Sequence, residues 1–318
     1  MPTSETSPRA LAKVGALYYL QGQTQQEIAD RLRVSRPTVS RMIKEARARG
    51  IVRITVAHVD GLAVDLESEL EAAYGLDEVV VADVEGDDSV ERLGAAAAGY
   101  LARTLEPGDV LGLTWGSTLR EMVHAVAPRR TDGVTVVQTL GGVGPPLGEA
   151  HAADLPRRLA GALGADLRLL QAPGVVANAA AREVLLADPH IRAALETLSR
   201  MTVAFVGIGA LATNPVLGGG LLAGEVGGSQ ALDAELAASG AVGDVALRFF
   251  DADGRPVPTS LDDRVIGVDL PTLASVGRVV GVAGGEAKVE AIRAAARGGV
   301  VDVLVTDDRT ARALIAAA

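Results

Sequence analysis

Apolar positions follow two different periods along this chain. Over about the first fifty residues they recur at helical spacing. Leu11, Val14, Leu17 and Tyr18 make one stripe, which ends before Gly22. Thr24 then stands as an N-cap with Glu27 three residues on, the pattern of a capping box. Ile28 and Leu32 form the inner face of this second helix, and Ala29 is small where two helices cross closely. Ser35 caps a third helix with Pro37 in its first turn, where a missing N–H costs nothing. Val39, Met42 and Ile43 face inward, which leaves Arg36, Thr38, Ser40, Arg41 and Lys44 on the outer face. Gly50 breaks the pattern, and Ile51–Val56 alternates as a strand suited to a wing. Three short helices with these caps predict a helix-turn-helix. Arg33 is off-pattern, because the turn between its helices favours a left-handed glycine.

After Gly61 the period lengthens to every fourth residue, through Leu62, Leu66, Leu70 and Tyr74. Glu67, Glu69 and Glu71 lie outside this stripe, so the segment reads as an amphipathic connecting helix. It is suited equally to pairing with a second subunit and to packing on its own domain.

From Asp77 onward, continuous apolar runs alternate with helical segments. Strands are expected at Glu78–Val84, Val110–Thr114, Val134–Leu140, Asp166–Gln171, Thr202–Ile208, Val242–Phe250, Arg278–Ala283 and Val301–Thr306. Helices are expected at Ser89–Leu105, Ser117–Ala127, Ala152–Leu163, Gln230–Ala238, Glu286–Arg297 and Thr310–Ala317. Such alternation predicts a large, mainly parallel α/β domain covered on both faces. The expected organisation is 1–58 helix-turn-helix, 59–76 linker helix and 77–318 α/β domain.

Charge sharpens this division. The chain of 318 residues carries a net charge of −10. Residues 1–60 hold ten Lys/Arg against five acids, net +5, and the remainder holds 20 against 35, net −15. A basic module on an acidic body points to nucleic-acid contact by one end only. On the third helix, hydroxyls and guanidiniums near the start can reach base edges, while flanking cations hold phosphates. The expected DNA contacts are Thr24, Gln25, Ser35, Arg36, Thr38, Ser40, Arg41 and Lys44.

The remaining composition mainly excludes. There is no cysteine, so disulfides, thiol catalysis and thiolate metal sites are out, and a reducing cytoplasm is the expected location. The four histidines (His58, His124, His151 and His190) show no ligand spacing, so neither metal nor cofactor is expected. Aromatics at 3% leave no stacking platform for single strands. Met1 to Arg9 is polar with no apolar run behind it, so no secretory signal is expected. Met201–Gly224 is uncharged, but Asn214-Pro215 and Gly218-Gly219-Gly220 break it, so it reads as a buried strand and a glycine loop rather than a membrane span.

Residues Gln25–Leu32 and Val34–Arg41 resemble the amino-terminal domain of the SorC family of bacterial sugar-responsive transcriptional regulators. The resemblance extends into the body. There, four strand ends carry glycine turns: Thr114-Trp115-Gly116-Ser117-Thr118, Leu140–Gly144, Val206–Gly209 and Ala283–Lys288. A parallel sheet gathers such turns at one edge, where ligands bind. The turn at Ser117 opens a helix and is suited to an anion. Lys288 is one of three lysines in the chain and the only one after Asp60. Behind the Gly284-Gly285 pair it is placed for a phosphate or a sugar carbonyl.

Thr114–Leu119, Gln138–Gly142, Asp188–Leu195, Gly240–Asp251 and Val282–Ile292 are similar to the SorC effector domain, of sugar-isomerase and CoA-transferase-like fold. The resemblance implies a sugar or phosphorylated-sugar effector. Gly116, Ser117, Thr118 and Lys288 would hold the phosphate, Gly142 would lie against the ligand, and Gly285 is a further effector-site residue. Asp244, Arg248 and Asn178 would meet sugar hydroxyls, with structural ion-pairing the equal alternative for Asp244 and Arg248. Leu247 departs from the small residue expected in that segment. The resemblance also implies double-stranded operator DNA as partner and a homodimer or homotetramer, since paired half-sites supply avidity.

The competing expectation is a sugar-phosphate isomerase bearing a DNA-binding module. Such an enzyme needs a general base behind a loop like Gly207-Ile208-Gly209, but Ala210–Asn214 follows with no titrating side chain. Asp244 and Glu286 are the remaining candidates for that role. A DNA-organising protein fits poorly, because the body is acidic.

Overall fold

The computed structural model describes residues 7–53, 63–83, 89–142, 153–211 and 229–318. The chain forms two compact units, Met1–Asp60 and Gly61–Ala318.

In the first unit, α1 (Pro8–Gly15) runs on into a π-helical turn over Ala16–Leu20. α2 (Gln25–Leu32) begins at the Thr24–Glu27 capping box, and α3 (Arg36–Ala48) begins at Ser35 with Pro37 in its first turn. Leu11, Val14, Leu17, Ile28, Ala29, Val39, Met42, Ile43 and Ala46 form a single core. Gly15 lies close to Val52, since a Cβ there would stand 2.6 Å from Val52 Cγ2 and the valine would have to shift. Arg33 ends α2 with φ 53° and ψ 45°, so the arginine does take the left-handed conformation. Residues 51–53 are irregular, and the rest of the expected wing lies outside the described residues.

The second unit opens with α4 (Val64–Tyr74), which packs on its own domain through Leu70 and Tyr74. The remaining elements are β1 (Glu78–Ala82), α5 (Ser89–Thr104), β2 (Val110–Leu113), α6 (Ser117–Ala125), β3 (Thr135–Gln138), α7 (Asp154–Leu163), β4 (Asp166–Arg168), α8 (Ala179–Leu186) and α9 (Pro189–Leu198). Then come β5 (Val203–Gly207), β6 (Gly209–Ala210), α10 (Ser229–Ser239), β7 (Ala241–Val245), β8 (Arg248–Asp251) and α11 (Leu270–Ala274). After these follow β9 (Val279–Val282), a 3-10 turn at Glu286–Lys288 leading into α12 (Val289–Arg297), β10 (Val303–Asp307) and α13 (Asp308–Ala316).

Seven strands pair in the order β1-β10-β9-β5-β2-β3-β4, and every pair is parallel. Both faces are covered, which is why the central strands β2, β5 and β9 are continuously apolar, while the edge strand β4 exposes Asp166 and Arg168. Phe205 points into one layer with Leu93, Leu111 and Met122, while its neighbour Val206 points into the other with Leu70, Val79 and Leu304.

The expected single strand Val242–Phe250 is instead a hairpin. Ala246 and Leu247, with φ 54° and 63°, form a two-residue turn between β7 and β8. Hairpins of this length need positive φ at both turn positions, a requirement usually met by Asn-Gly. An apolar pair hides that signal, and Leu247 is 1% exposed because it is core. β6 completes a small antiparallel sheet with β7 and β8.

Candidate functional site

On α3, Arg36, Arg41, Lys44 and Arg47 are exposed, while Val39, Met42, Ile43 and Ala46 are buried behind them. Arg36, Ser40 and Lys44 lie at successive intervals of four, one row of the helix surface, with Arg41 on the next row. The acid of this helix, Glu45, is bonded to Arg49 at 3.1 Å. The face is therefore cationic, with a half-buried hydroxyl at Ser40.

The other predicted contacts are tied into caps. Thr24 Oγ1 accepts from the Glu27 N–H at 3.3 Å and donates to Glu27 Oε2 at 2.9 Å. The same Oε2 accepts the Thr24 N–H at 2.7 Å. That backbone bond, and then the hydroxyl, hold the Glu27 carboxyl below the ordinary range. Ser35 and Thr38 share a hydroxyl–hydroxyl bond of 2.8 Å, and Ser35 Oγ accepts the Thr38 N–H. Gln25 is half-buried at the start of α2.

In the second unit the parallel sheet brings the predicted turns to one edge. β2 ends into Thr114–Gly116, β3 into Thr139–Gly142, β5 at Gly207 and β9 into Ala283–Gly285. The first and third turns are directly joined, since Thr114 Oγ1 accepts the Gly207 N–H at 3.1 Å. Gly116 precedes α6 with φ 144°, a conformation that favours glycine, and a Cβ there would meet nothing within 4 Å. No side chain among the described residues caps α6. Ser117 is exposed and Thr118 half-buried. A helix start with free amides and open space before it is suited to an anion.

Gly142 is fixed differently. It exchanges bonds with the segment after β4, through its N–H to Ala172 O at 2.8 Å and its O to Gly174 N–H at 2.6 Å. Gly285 has φ 103°, and its N–H is committed to Thr310 Oγ1 at 2.8 Å and Asp307 Oδ2 at 3.2 Å. A Cβ on Gly284 would overlap Asp307 Oδ2. Sequence reasoning missed Asp307 and Thr310, although Asp307 followed three residues on by Thr310 is a helix-start signal. Asp307 caps α13 through the Thr310 N–H at 2.7 Å.

Lys288 is half-buried on the turn that packs against β6. Burial pulls its ammonium below the ordinary lysine range, and the nearby Asp244 carboxylate opposes that shift. Asp244 is buried, pairs with Gly209 in the small sheet and accepts the Leu247 N–H at 3.0 Å. Lys288 and Asp244 are thus close enough for their charges to interact. Arg248 and Asn178 hold structure instead. Arg248 is buried, bonds Asp262 Oδ1 at 2.7 Å and donates to Val268 O at 3.2 Å. Asn178 Oδ1 caps α8 by accepting the Ala181 N–H at 2.9 Å.

A groove of about 370 Å³ lies elsewhere, lined by Arg168, Gln171, His190, Glu196, Thr197 and Arg200 of β4 and α9 and their flanks. It includes no predicted effector residue. The glycine turns combine a helix start, a half-buried cation and the carboxyl edge of a parallel sheet, where ligands bind. The part of the second turn at 143–144 and the glycine loop after Gly209, from residue 212, lie outside the described residues. Among the described residues no cluster suits a metal ion, and no helix is long and apolar enough to cross a membrane.

Comparison with known proteins agrees with this division. Residues 61–316 match the family described as "Putative sugar-binding domain", and residues 7–61 match the MarR family. The deoxyribonucleoside regulator of Bacillus subtilis (strain 168) is 33% identical, over 94% of this chain and 95% of that protein. The sorbitol operon regulator of Klebsiella pneumoniae is 31% identical, over 96% and 98%. The crystal structure of the full-length sorbitol operon regulator SorC from Klebsiella pneumoniae matches with a TM-score of 0.76 and 29% identity. That match covers 97% of this chain and 99% of that one. These relatives are named as regulators and not as enzymes. The basic helix-turn-helix, the parallel α/β body and these matches along nearly the whole chain make it a member of the SorC family of sugar-responsive transcriptional regulators.

Proposed function

We propose that the effector is a phosphorylated sugar held at the carboxyl edge of the seven-stranded sheet, and that its occupancy alters operator binding by α3. The observation carrying this reading is the start of α6 behind Gly116, which no side chain among the described residues caps, on the same sheet edge as the half-buried Lys288. The amides of α6, the Ser117 and Thr118 hydroxyls and the Lys288 ammonium form an anion-binding set. Asp244, beside Lys288, supplies a carboxylate for a sugar hydroxyl. Gly142 lines the approach, and the Gly285 turn positions Lys288 rather than touching the ligand. Relatives named for a sorbitol operon and for deoxyribonucleosides point to a carbohydrate catabolism operon as the target.

At the DNA, Arg36, Ser40, Arg41 and Lys44 face the groove, while Thr24, Ser35 and Thr38 fix the helix starts. Gln25 lies at the start of α2, where such modules meet the phosphate backbone. The chain acts as a homodimer or homotetramer, because one recognition helix buries too little to be specific and paired half-sites add avidity.

The test uses duplex DNA selected by the full chain from a random pool. Its affinity is measured with a panel of pentose and hexose phosphates and their free sugars. Lys288→Ala should keep duplex affinity and lose the response to the phosphate ester that acts on the wild type. A wild-type response in Lys288→Ala would remove the lysine from the site.

A further inference from the structure

The outer edge of the sheet is closed by the linker helix in an unusual way. β1 is an edge strand whose inner side pairs with β10. Its outward amides would normally be open to water or to another chain. Glu67 and Glu71, one turn apart on α4, reach these amides instead. Glu67 Oε1 accepts the Val81 N–H at 3.0 Å, and Glu71 Oε1 accepts the Val79 N–H at 3.0 Å. Two carboxylates at a spacing of four thus match two amides at a spacing of two along the strand.

From there the bonding is continuous to the Lys288 turn. β1 pairs with β10 in register, Val79 opposite Leu304 and Ala82 opposite Asp307. Asp307 Oδ2 and Thr310 Oγ1 both accept the Gly285 N–H, and the Gly285 carbonyl accepts the Lys288 N–H at 3.0 Å. A second route closes the loop. Asp307 caps α13, and the α13 carbonyl of Leu314 accepts the Tyr74 hydroxyl of α4 at 2.6 Å.

We propose that Glu67 and Glu71 are positioning residues that couple the linker helix to the effector turn. They make α4 a rigid extension of the sheet edge, so that movement of the Gly285–Lys288 turn is passed through β10 and β1 to the helix beyond which the DNA-binding unit lies in sequence. The inference rests on placing the effector at the Lys288 turn. Lys288→Ala tests that placement, whereas the experiment below needs no effector, so the two fail separately.

The experiment is amide hydrogen exchange on the full chain, read in three regions: α4 with β1 (residues 64–82), the turn (residues 283–292) and β3 as a control. The Glu67→Ala/Glu71→Ala pair should quicken exchange about tenfold in both α4–β1 and the turn while leaving β3 unchanged. Glu67→Gln/Glu71→Gln keeps an acceptor oxygen on each side chain and should restore the wild-type pattern. Perturbing the other end should act in reverse, with Thr310→Val quickening Val79 and Val81. Faster exchange confined to α4 and β1 would overturn the proposal, since the carboxylates would then only cover a strand edge. An equal rise in all three regions would overturn it too, because the pair would be a general stabiliser.

Discussion

Arg33 and Gly116 occupy backbone conformations for opposite reasons. Arg33 sits at φ 53° in the turn between α2 and α3, where glycine has no Cβ penalty. Arg33→Gly should therefore raise the stability of the first unit by about 1 kcal/mol, read as a higher unfolding midpoint. An unchanged or lower midpoint would show that the guanidinium is useful enough to offset the strain. Gly116 has open space before it, so Gly116→Ala is strained by conformation alone, at a cost of about 1–3 kcal/mol, and should weaken effector binding. Arg41 is exposed on the groove face, and Arg41→Ala should cost about 1–3 kcal/mol of operator affinity and relax base preference. Competition between duplexes of altered sequence reads both effects. Arg33 was visible in the sequence as a misfit because it stands where a left-handed glycine is favoured, and Leu247 because it departs from the small residue that the family resemblance implies. For Arg248 an ion pair was the open alternative in the sequence, but the partner was not visible. Its partner Asp262 lies fourteen residues on, and no local spacing announces the pairing.

Among the elements, a buried stripe marked most of the helices that were legible, although α9 went unread despite one. α2, α3 and α5 show regular apolar faces, and their cores are the residues that the spacing selects. α8 has no buried residue, so no stripe marked it. α9 starts at Asp188-Pro189, a cap and an N-terminal proline that were available as a signal. The β7–β8 hairpin was read as one strand because Ala246 and Leu247 look like strand interior. At the amino end of β9, Asp302 Oδ2 accepts the Val279 N–H at 2.7 Å. Burial and then the Asp77 charge raise its pKa against that bond. A carboxyl with a raised folded pKa favours folding below its unfolded pKa, and that contribution is lost as pH rises through the folded value. Asp302→Asn keeps an acceptor and removes the charge. It should be at least as stable as wild type at pH 7, with the difference shrinking as the pH falls through the raised folded value and gone below the ordinary aspartate range. A clear drop in its unfolding midpoint at pH 7 would contradict this account.

Across the whole molecule, the charge split and the change of hydrophobic period near residue 60 announced two units with two solvents in view, a polyanion for one and a small ligand for the other. The family resemblance carried the assignment from a DNA-binding module to a sugar-responsive regulator. The parallel sheet accounts for how turns distant in sequence meet at one edge, the edge at which the effector site is proposed. What the sequence hid was the division of labour within that edge. Gly285 holds the Lys288 turn through Asp307 and Thr310, and Arg248 braces β8, so fewer residues are left free for the ligand than motif matching implied.

The central claim is a phosphate site between the α6 start and Lys288. Thermal unfolding of the purified chain against paired sugars, each free and phosphorylated, tests it most directly. A ligand at a hundredfold its dissociation constant adds about 2.7 kcal/mol, a readable rise in midpoint. The account predicts a rise with one phosphorylated sugar, none with its free form, and none with either in Lys288→Ala. A rise with free sugars alone, or an equal rise in Lys288→Ala, would contradict it.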